Sequence, residues 1–488
     1  MASPLAAPLV TAIKVRDLFG KRSYDVVVPE IDKTRSRLLL LHGSNGSGKT
    51  TLLRLLWHAL SAADNKGHRT YLAKTPFSEL TIEMSGDRKL YFKKSDGLVG
   101  SYSVTLTQPG IDDCVAHYES DENLRVRRHN LDTSWIEFES EMVNYAATRA
   151  LLDQRSSFDR PFTSRAEIEI SGSPREVEKR IARALKSRRA NEQYLEFLSE
   201  EVRTPLYLAD DRSLNTDDPD TDRMRNLVSG GRERDRQERL SELVYLELRV
   251  TLERVNEYLR SITIGGQNEG SANSNVIYTD VLKQLVISNT SSDGKRSNIS
   301  EMHALLDEIE RISPPYETYG LVPKFDTQEF RQLFRAAEDR GLDALVERVV
   351  SPFLVSQRAR YAALESACDL LESLIPTLNS FLSEKEIRFT PRSGLAIYTA
   401  DDEPLQVDML SSGERQLLTL LCTTLTAVDK RLFIIDEPEL SLGVNWQRQI
   451  IDALLSVTDK SNLQFIVATH SIEIISARPE SLVQLKSI

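Results

Sequence analysis

Cysteine is scarce: the 488 residues hold only Cys114, Cys368 and Cys422, far apart and with no CxxC pair. That spacing offers neither a zinc site nor a disulfide framework, and it fits a reducing, cytoplasmic compartment. No apolar run approaches the roughly 18 residues that a membrane-spanning helix needs. The apolar stretch 4–13 lacks the charged segment that precedes a secretory signal core, and it leads instead into a strand pattern at residues 12–19. Positive charge is in deficit, with 62 Lys and Arg against 73 Asp and Glu and a formal net charge of -11. Such a balance excludes a generic nucleic-acid binder while leaving room for local basic patches. No repeat of solenoid period and no sustained heptad seam is present.

What the chain does have is Gly43-Ser44-Asn45-Gly46-Ser47-Gly48-Lys49-Thr50, which matches G-x-x-x-x-G-K-[ST] at every fixed position. The apolar run 37–41 before it reads as a buried parallel strand, and Thr51 opens a stretch with one apolar helical face. Glycines in this setting turn backbone N–H groups toward phosphate oxygens, and the helix N-terminus adds a favourable dipole. Lys49 then reaches the β- and γ-phosphates of a nucleotide such as ATP, and the Thr50 hydroxyl ligates Mg²⁺.

Taken in order, residues 10–28 read as two strands around a turn at 20–23, and 78–84, 89–93 and 102–106 as an antiparallel meander with one wet face. From about 132 the period becomes helical, at 176–190, 192–203, 233–262 and 342–382, broken by a short strand at 205–209. Two stretches rich in Asn, Asp, Gly and Ser, 215–222 and 265–274, read as loops. Strand signals resume at 385–389 and 394–398.

The last hundred residues carry four motifs: Leu410-Ser411-Ser412-Gly413-Glu414, the apolar strand 432–435 ending in Asp436-Glu437-Pro438, Ser441-Leu442-Gly443, and Val467-Ala468-Thr469-His470-Ser471. A buried strand that ends in Asp-Glu delivers carboxylates to its carboxyl tip, where open α/β sheets bind ligands. In this order the motifs resemble the signature, Walker B, D-loop and switch histidine of ABC-type ATPases. The long middle segment resembles the chromosome-maintenance and DNA-repair branch, and most of all the OLD (overcoming lysogenisation defect) group, as do Glu437-Pro438-Glu439-Leu440-Ser441-Leu442 with Trp446-Gln447, and the strand-then-Arg element at 205–212. The chain stops at Ile488, which leaves no room for the Toprim nuclease of OLD nucleases. It is thus similar to the stand-alone ATPases of antiphage systems such as PARIS and Septu, where a separate effector supplies the toxic activity.

The resemblance implies an α/β ABC-type P-loop head, with a mixed sheet and an antiparallel meander, interrupted by a large helical insertion. Its expected boundaries are 1–140 and 384–488 for the two halves of the head and 141–383 for the insertion, whose strand at 205–209 returns to the core. It also implies roles. Asp436 holds Mg²⁺, Glu437 polarises the attacking water and His470 touches the γ-phosphate. Ser411, Ser412, Gly413 and Glu414 reach a nucleotide held by a second copy in a head-to-head dimer or higher homo-oligomer. Further expected partners are a separately encoded effector and a phage-derived trigger, with DNA left open and no membrane. The glutamine loop has only Gln108 as a candidate.

Other features have plainer readings. Ser229-Gly230-Gly231-Arg232-Glu233 imitates a signature, but no Asp-Glu strand follows at the right distance, so it reads as a helix entry. The basic stretch from Lys179 to Arg189 and the cluster Arg125, Arg127, Arg128 and His129 read as solvated faces, with nucleic-acid contact as the alternative. Asp210-Asp211 reads as a loop cap and His42 as a packed strand end; Trp57, Trp135 and Trp446 read as anchors. For Arg212 a structural ion pair and a place near the nucleotide both stay open.

Overall fold

The structure, a computed structural model, describes residues 9–31, 34–63, 66–126, 189–217, 248–265, 299–339, 343–427, 429–459 and 461–488. It divides into one unit made of Met1–Ser229, Asp429–Leu440 and Lys460–Ile488 and another made of Gly230–Val428 and Ser441–Asp459. The imitation signature at 229–233, Trp135, the cluster 127–129 and the basic stretch up to residue 188 lie outside the described residues.

In the first unit, alternating burial builds an antiparallel sheet from β1 (Val10–Leu18) and β2 (Arg22–Val27), then β6 (Glu79–Met84), β7 (Arg88–Lys94), β8 (Tyr102–Gln108) and β9 (Ile111–Tyr118). Its order is β2-β1-β6-β7-β8-β9. Leu90 and Phe92 on β7 and Val104 and Leu106 on β8 point to the core, while their neighbours along the strands stay wetter. The chain reaches the second sheet through a small hairpin, β3 (Glu30–Ile31) and β4 (Thr34–Arg35).

That second sheet has the order β11-β10-β15-β16-β5-β17, from β5 (Leu38–His42), β10 (Leu206–Leu208), β11 (Leu214–Asn215), β15 (Leu432–Asp436), β16 (Gln464–Ala468) and β17 (Leu482–Gln484). All its pairings are parallel except β10 with β11. Strands β15 and β16 are buried at every position, as unbroken apolar runs must be when both sheet faces are covered. One hydrophobic core joins the two sheets, with Ile13 and Val15 from the first, Leu39, Ile434 and Ile466 from the second, and Leu52, Leu55 and Leu56 of α1 (Lys49–Leu60). The wholly buried Gln464 clasps β1: its Oε1 accepts from Val10 N at 2.8 Å and its Nε2 donates to Val10 O at 2.8 Å. Helices α2 (His68–Lys74) and α3 (189–197) also belong to this unit, and α3 contributes Tyr194 and Phe197 to the core.

The second unit contains α4 (248–265), α5 (Ile299–Thr318), α6 (Thr327–Glu338), α7 (Asp343–Asn379), the small sheet of β12 (Lys385–Thr390), β13 (Gly394–Thr399) and β14 (Pro404–Leu405), then α8 (Ser412–Thr426) and α9 (Val444–Val457). Buried leucines on α5 and α7, among them Leu306, Leu364, Leu371 and Leu378, form its core. Asn379, at the end of α7, accepts from Ile387 N at 2.7 Å and donates to Ile387 O at 3.0 Å, which fixes β12 against the helix.

The fold is thus α/β, with a mixed and an antiparallel sheet and a helical middle region, as expected. The meander has one more strand than the sequence reading gave it. β9 carries Asp112 and Asp113 at its exposed start, so its apolar period shows only in its second half. Strand β17 and helices α5 and α6 were also missed. Among the described residues, no helix is long and apolar enough to cross a membrane.

Candidate phosphate site

The parallel strands set the site because their carboxyl ends lie side by side. β5 ends at His42 and enters the loop 43–48; β15 ends at Asp436 and β16 at Ala468, with Asp436 and Ala468 paired in register. The loop closes on α1, whose first turn has no side-chain cap and no acidic residue. Its leading N–H groups, which have no partner inside the helix, are left for an anion. Gly48 stands at φ 90°, a left-handed conformation that a side chain would strain. Tyr24 Oη donates to Ser47 O at 2.6 Å, and the Arg22 guanidinium donates to Gly46 O, so β2 braces the loop.

A cavity of about 710 Å³ is lined by Phe19, the loop residues Asn45, Gly46, Ser47, Gly48, Lys49, Thr50 and Thr51, and by Glu437 and His470. Lys49 Nζ donates to Gly43 O at 2.9 Å and lies 2.6 Å from His470 Nε2. Burial lowers the Lys49 pKa, and the charges of Glu437, Asp436 and Glu439 oppose that shift. His470 Nε2 is also 3.7 Å from Glu437 Oε1. Glu437 itself holds φ at 51°, a left-handed backbone that costs energy for a side chain and is held by its N–H donating to Ala468 O at 2.9 Å.

Asp436 is 1% exposed, and neither of its carboxylate oxygens meets a donor in bonding geometry. Burial, with the charges of Asp210 and Glu437, raises its pKa to about 6 against the pull of the Thr50 hydroxyl and Arg54. A buried carboxylate without a partner is costly. Beside a threonine hydroxyl it suits a hard, oxygen-seeking cation, so these residues fit Mg²⁺.

The signature residues are described within the second unit. Ser411 caps α8: its Oγ accepts from Glu414 N at 3.3 Å while Glu414 Oε2 accepts from Ser411 N at 2.7 Å, a reciprocal capping box. Lys385 Nζ donates to both Glu414 oxygens, at 2.9 and 2.8 Å. The Glu414 carboxylate is therefore committed to the turn. A Cβ on Gly413 would sit 2.7 Å from Ser441 O and 3.0 Å from the Trp446 ring, so only glycine fits there.

Gln108 ends β8 in the antiparallel sheet, opposite Ile111, and does not line the cavity. β10 pairs with β15, and the turn after it brings Asp210 to Arg54 at 3.0 Å, while Asp211 accepts from both Ser213 N and Ser213 Oγ as a loop cap. Trp57 anchors α1 by donating from its ring nitrogen to Pro205 O at 3.2 Å. Phe19 was missed; its sign in the sequence is only that it precedes the Gly20 turn, where its φ is 57°. Glu439 was read only as part of a family pattern.

A family model described as an AAA ATPase domain matches residues 22–475. The DNA double-strand break repair Rad50 ATPase of Sulfurisphaera tokodaii is 30% identical over 115 residues, 22% of this chain and 13% of that protein. The match thus spans a small part of that relative's length. The Smc head domain of Pyrococcus furiosus, with an extended coiled coil and bound to the C-terminal domain of ScpA, aligns over 99% of this chain and 94% of its own at 12% identity and a TM-score of 0.37. The Smc head domain with a coiled coil and joint from Pyrococcus yayanosii aligns over 96% and 93% at 14% identity and a TM-score of 0.32. At such scores the account of the fold rests on the strand order itself.

Proposed function

Because this chain belongs to the AAA ATPase domain family and is an ATPase, we propose that its nucleotide state drives two copies together and apart and so controls a partner. Lys49 binds the β- and γ-phosphates, Thr50 and Asp436 hold Mg²⁺, Glu437 orients the attacking water and His470 contacts the γ-phosphate. Ser411, Ser412 and Gly413 of one copy complete the site of another. Bound Mg²⁺ supplies charge neutralisation, and the residues supply positioning, which is most of what phosphoryl transfer asks of a protein. The observation that carries this reading is the convergence of Lys49, Thr50, Glu437 and His470 on one cavity beside an unpartnered Asp436. Replacing Glu437 by Gln should lower kcat by about 100- to 1,000-fold while ATP still binds, and should trap an ATP-dependent dimer by light scattering. Unchanged turnover in that variant would remove the assignment.

The biological reading is a cytoplasmic sensor in bacterial antiphage defence that restrains or activates a separately encoded nuclease or toxin in response to a phage-derived trigger. The motif order and the long middle segment, which resemble the OLD-like stand-alone ATPases of PARIS and Septu, support it. Purification from the native operon tests it: an associated effector is expected, and its absence together with no phage phenotype on deletion speaks against the role. The partial likeness to a Rad50 ATPase favours a second reading, an ATPase acting directly on DNA. Turnover stimulated by duplex DNA, with an affinity that falls steeply with salt, is the outcome that would select it.

A further inference from the structure

Two backbone turns carry the reacting groups, and they are stitched together in both directions. Glu437 N donates to Ala468 O at 2.9 Å, tying the exit of β15 to the end of β16. In return Glu439 Oε1 accepts from His470 N at 2.6 Å and from Ser471 N at 3.2 Å. The short helix α10 (Ile472–Ala477) does not require Glu439 as a cap, because Ser471 Oγ already accepts from Ile474 N at 3.2 Å. Ser471 N has a second acceptor as well, Thr469 Oγ1 at 3.0 Å. The contact without a substitute is the one to His470. Glu439 Oε2 is buried with no hydrogen-bond partner, a cost that a purely structural position would shed by substitution.

We infer that Glu439 is a positioning residue for ATP hydrolysis: it fixes the backbone of His470 so that the imidazole stands between Lys49 and Glu437. The inference rests on the reading of Glu437 and His470 given above. Glu439 does not itself line the cavity, and its hydrogen bonds go to the backbone N–H groups of His470 and Ser471, so its removal should act chiefly through His470 and only weakly through nucleotide affinity. Losing charge-assisted bonds to the turn predicts a fall in kcat of about 10- to 100-fold for Glu439→Ala, with KM for ATP changed less than about threefold.

The test is a cycle of Glu439→Ala, His470→Ala and the double variant, with kcat and KM for ATP measured separately and folding checked by thermal melting. The double variant should be no slower than His470→Ala by more than about twofold, because the two changes disable one unit. Glu439→Gln, which keeps an acceptor at the same reach, should recover most of the lost kcat. Multiplying effects in the double variant, or a higher KM at unchanged kcat in Glu439→Ala, would overturn the inference. If His470→Ala leaves kcat intact, the reading of His470 fails and the inference with it; if His470→Ala is slow and Glu439→Ala is not, the inference alone fails. Should Glu439→Ala not fold, Glu439→Asp, which keeps the charge but withdraws the oxygen by one methylene, runs the same cycle.

Discussion

Asp436 in the first unit and Glu414 in the second are both nearly out of reach of water, 1% and 7% exposed, but their surroundings are opposite. Neither oxygen of Asp436 meets a donor in bonding geometry, and burial lifts its pKa from 3.8 to about 6. Burial also acts to raise the pKa of Glu414, but the Lys385 ammonium and the Ser411 N–H and hydroxyl overcome it and hold the carboxyl below its ordinary range. Two motif carboxylates at similar depth thus do different jobs. Glu414 is spent on the shape of the signature turn, whereas Asp436 is left under electrostatic stress that the proposed Mg²⁺ would relieve.

The sharpest way to separate the two regions is Lys49→Ala. It should weaken ATP binding by about 100-fold or more, measured by calorimetry, since it removes a buried charge from the phosphate cradle. Gly413→Ala should leave ATP binding by a single copy unchanged. Next is Asp436→Asn. The folded-state pKa of Asp436 lies above its unfolded value, so its ionisation costs stability that is fully lost only above about pH 6 and is intact below 3.8. Without Mg²⁺ at pH 8 the Asn variant should therefore be more stable than the wild type by on the order of 2–3 kcal/mol in denaturant melts, and that gain should fade as pH falls from 6 to 4. Gly413→Ala should cost about 1–3 kcal/mol, from the collision with Ser441 O, and should leave the phosphate site intact. The smallest effect belongs to Lys385→Met. Glu414 is depressed, so its contribution is present above the unfolded value of 4.5 and lost as pH falls through its folded pKa. Losing Lys385 should cost about 1 kcal/mol at pH 7, after allowance for the partial exposure of the pair, and less as pH drops below 4.5.

Much of the site was legible because its information is local. The loop 43–50 with its flanking strand and helix, and the strands that end at Asp436 and Ala468, are each written within about ten residues, where backbone period and glycine placement decide the outcome. What could not be read is what distant segments supply. The Gln464 clasp on Val10 spans 454 positions, and the Glu439 contact to His470 depends on β15 and β16 lying adjacent and in register. β17 is only three residues long, too short for any period to show. The bland reading of Asp211 as a loop cap could be made because an Asp two residues before a Ser is itself a local device.

The strand order has a consequence for biosynthesis. β5 is flanked by β16 and β17, whose residues run from 464 to 484, so the leucines at 38–41 have no sheet neighbours until the ribosome has passed residue 464. A nascent polypeptide released at residue 460 should leave that strand open to protease and prone to association, while a product that includes residues 464–484 protects it.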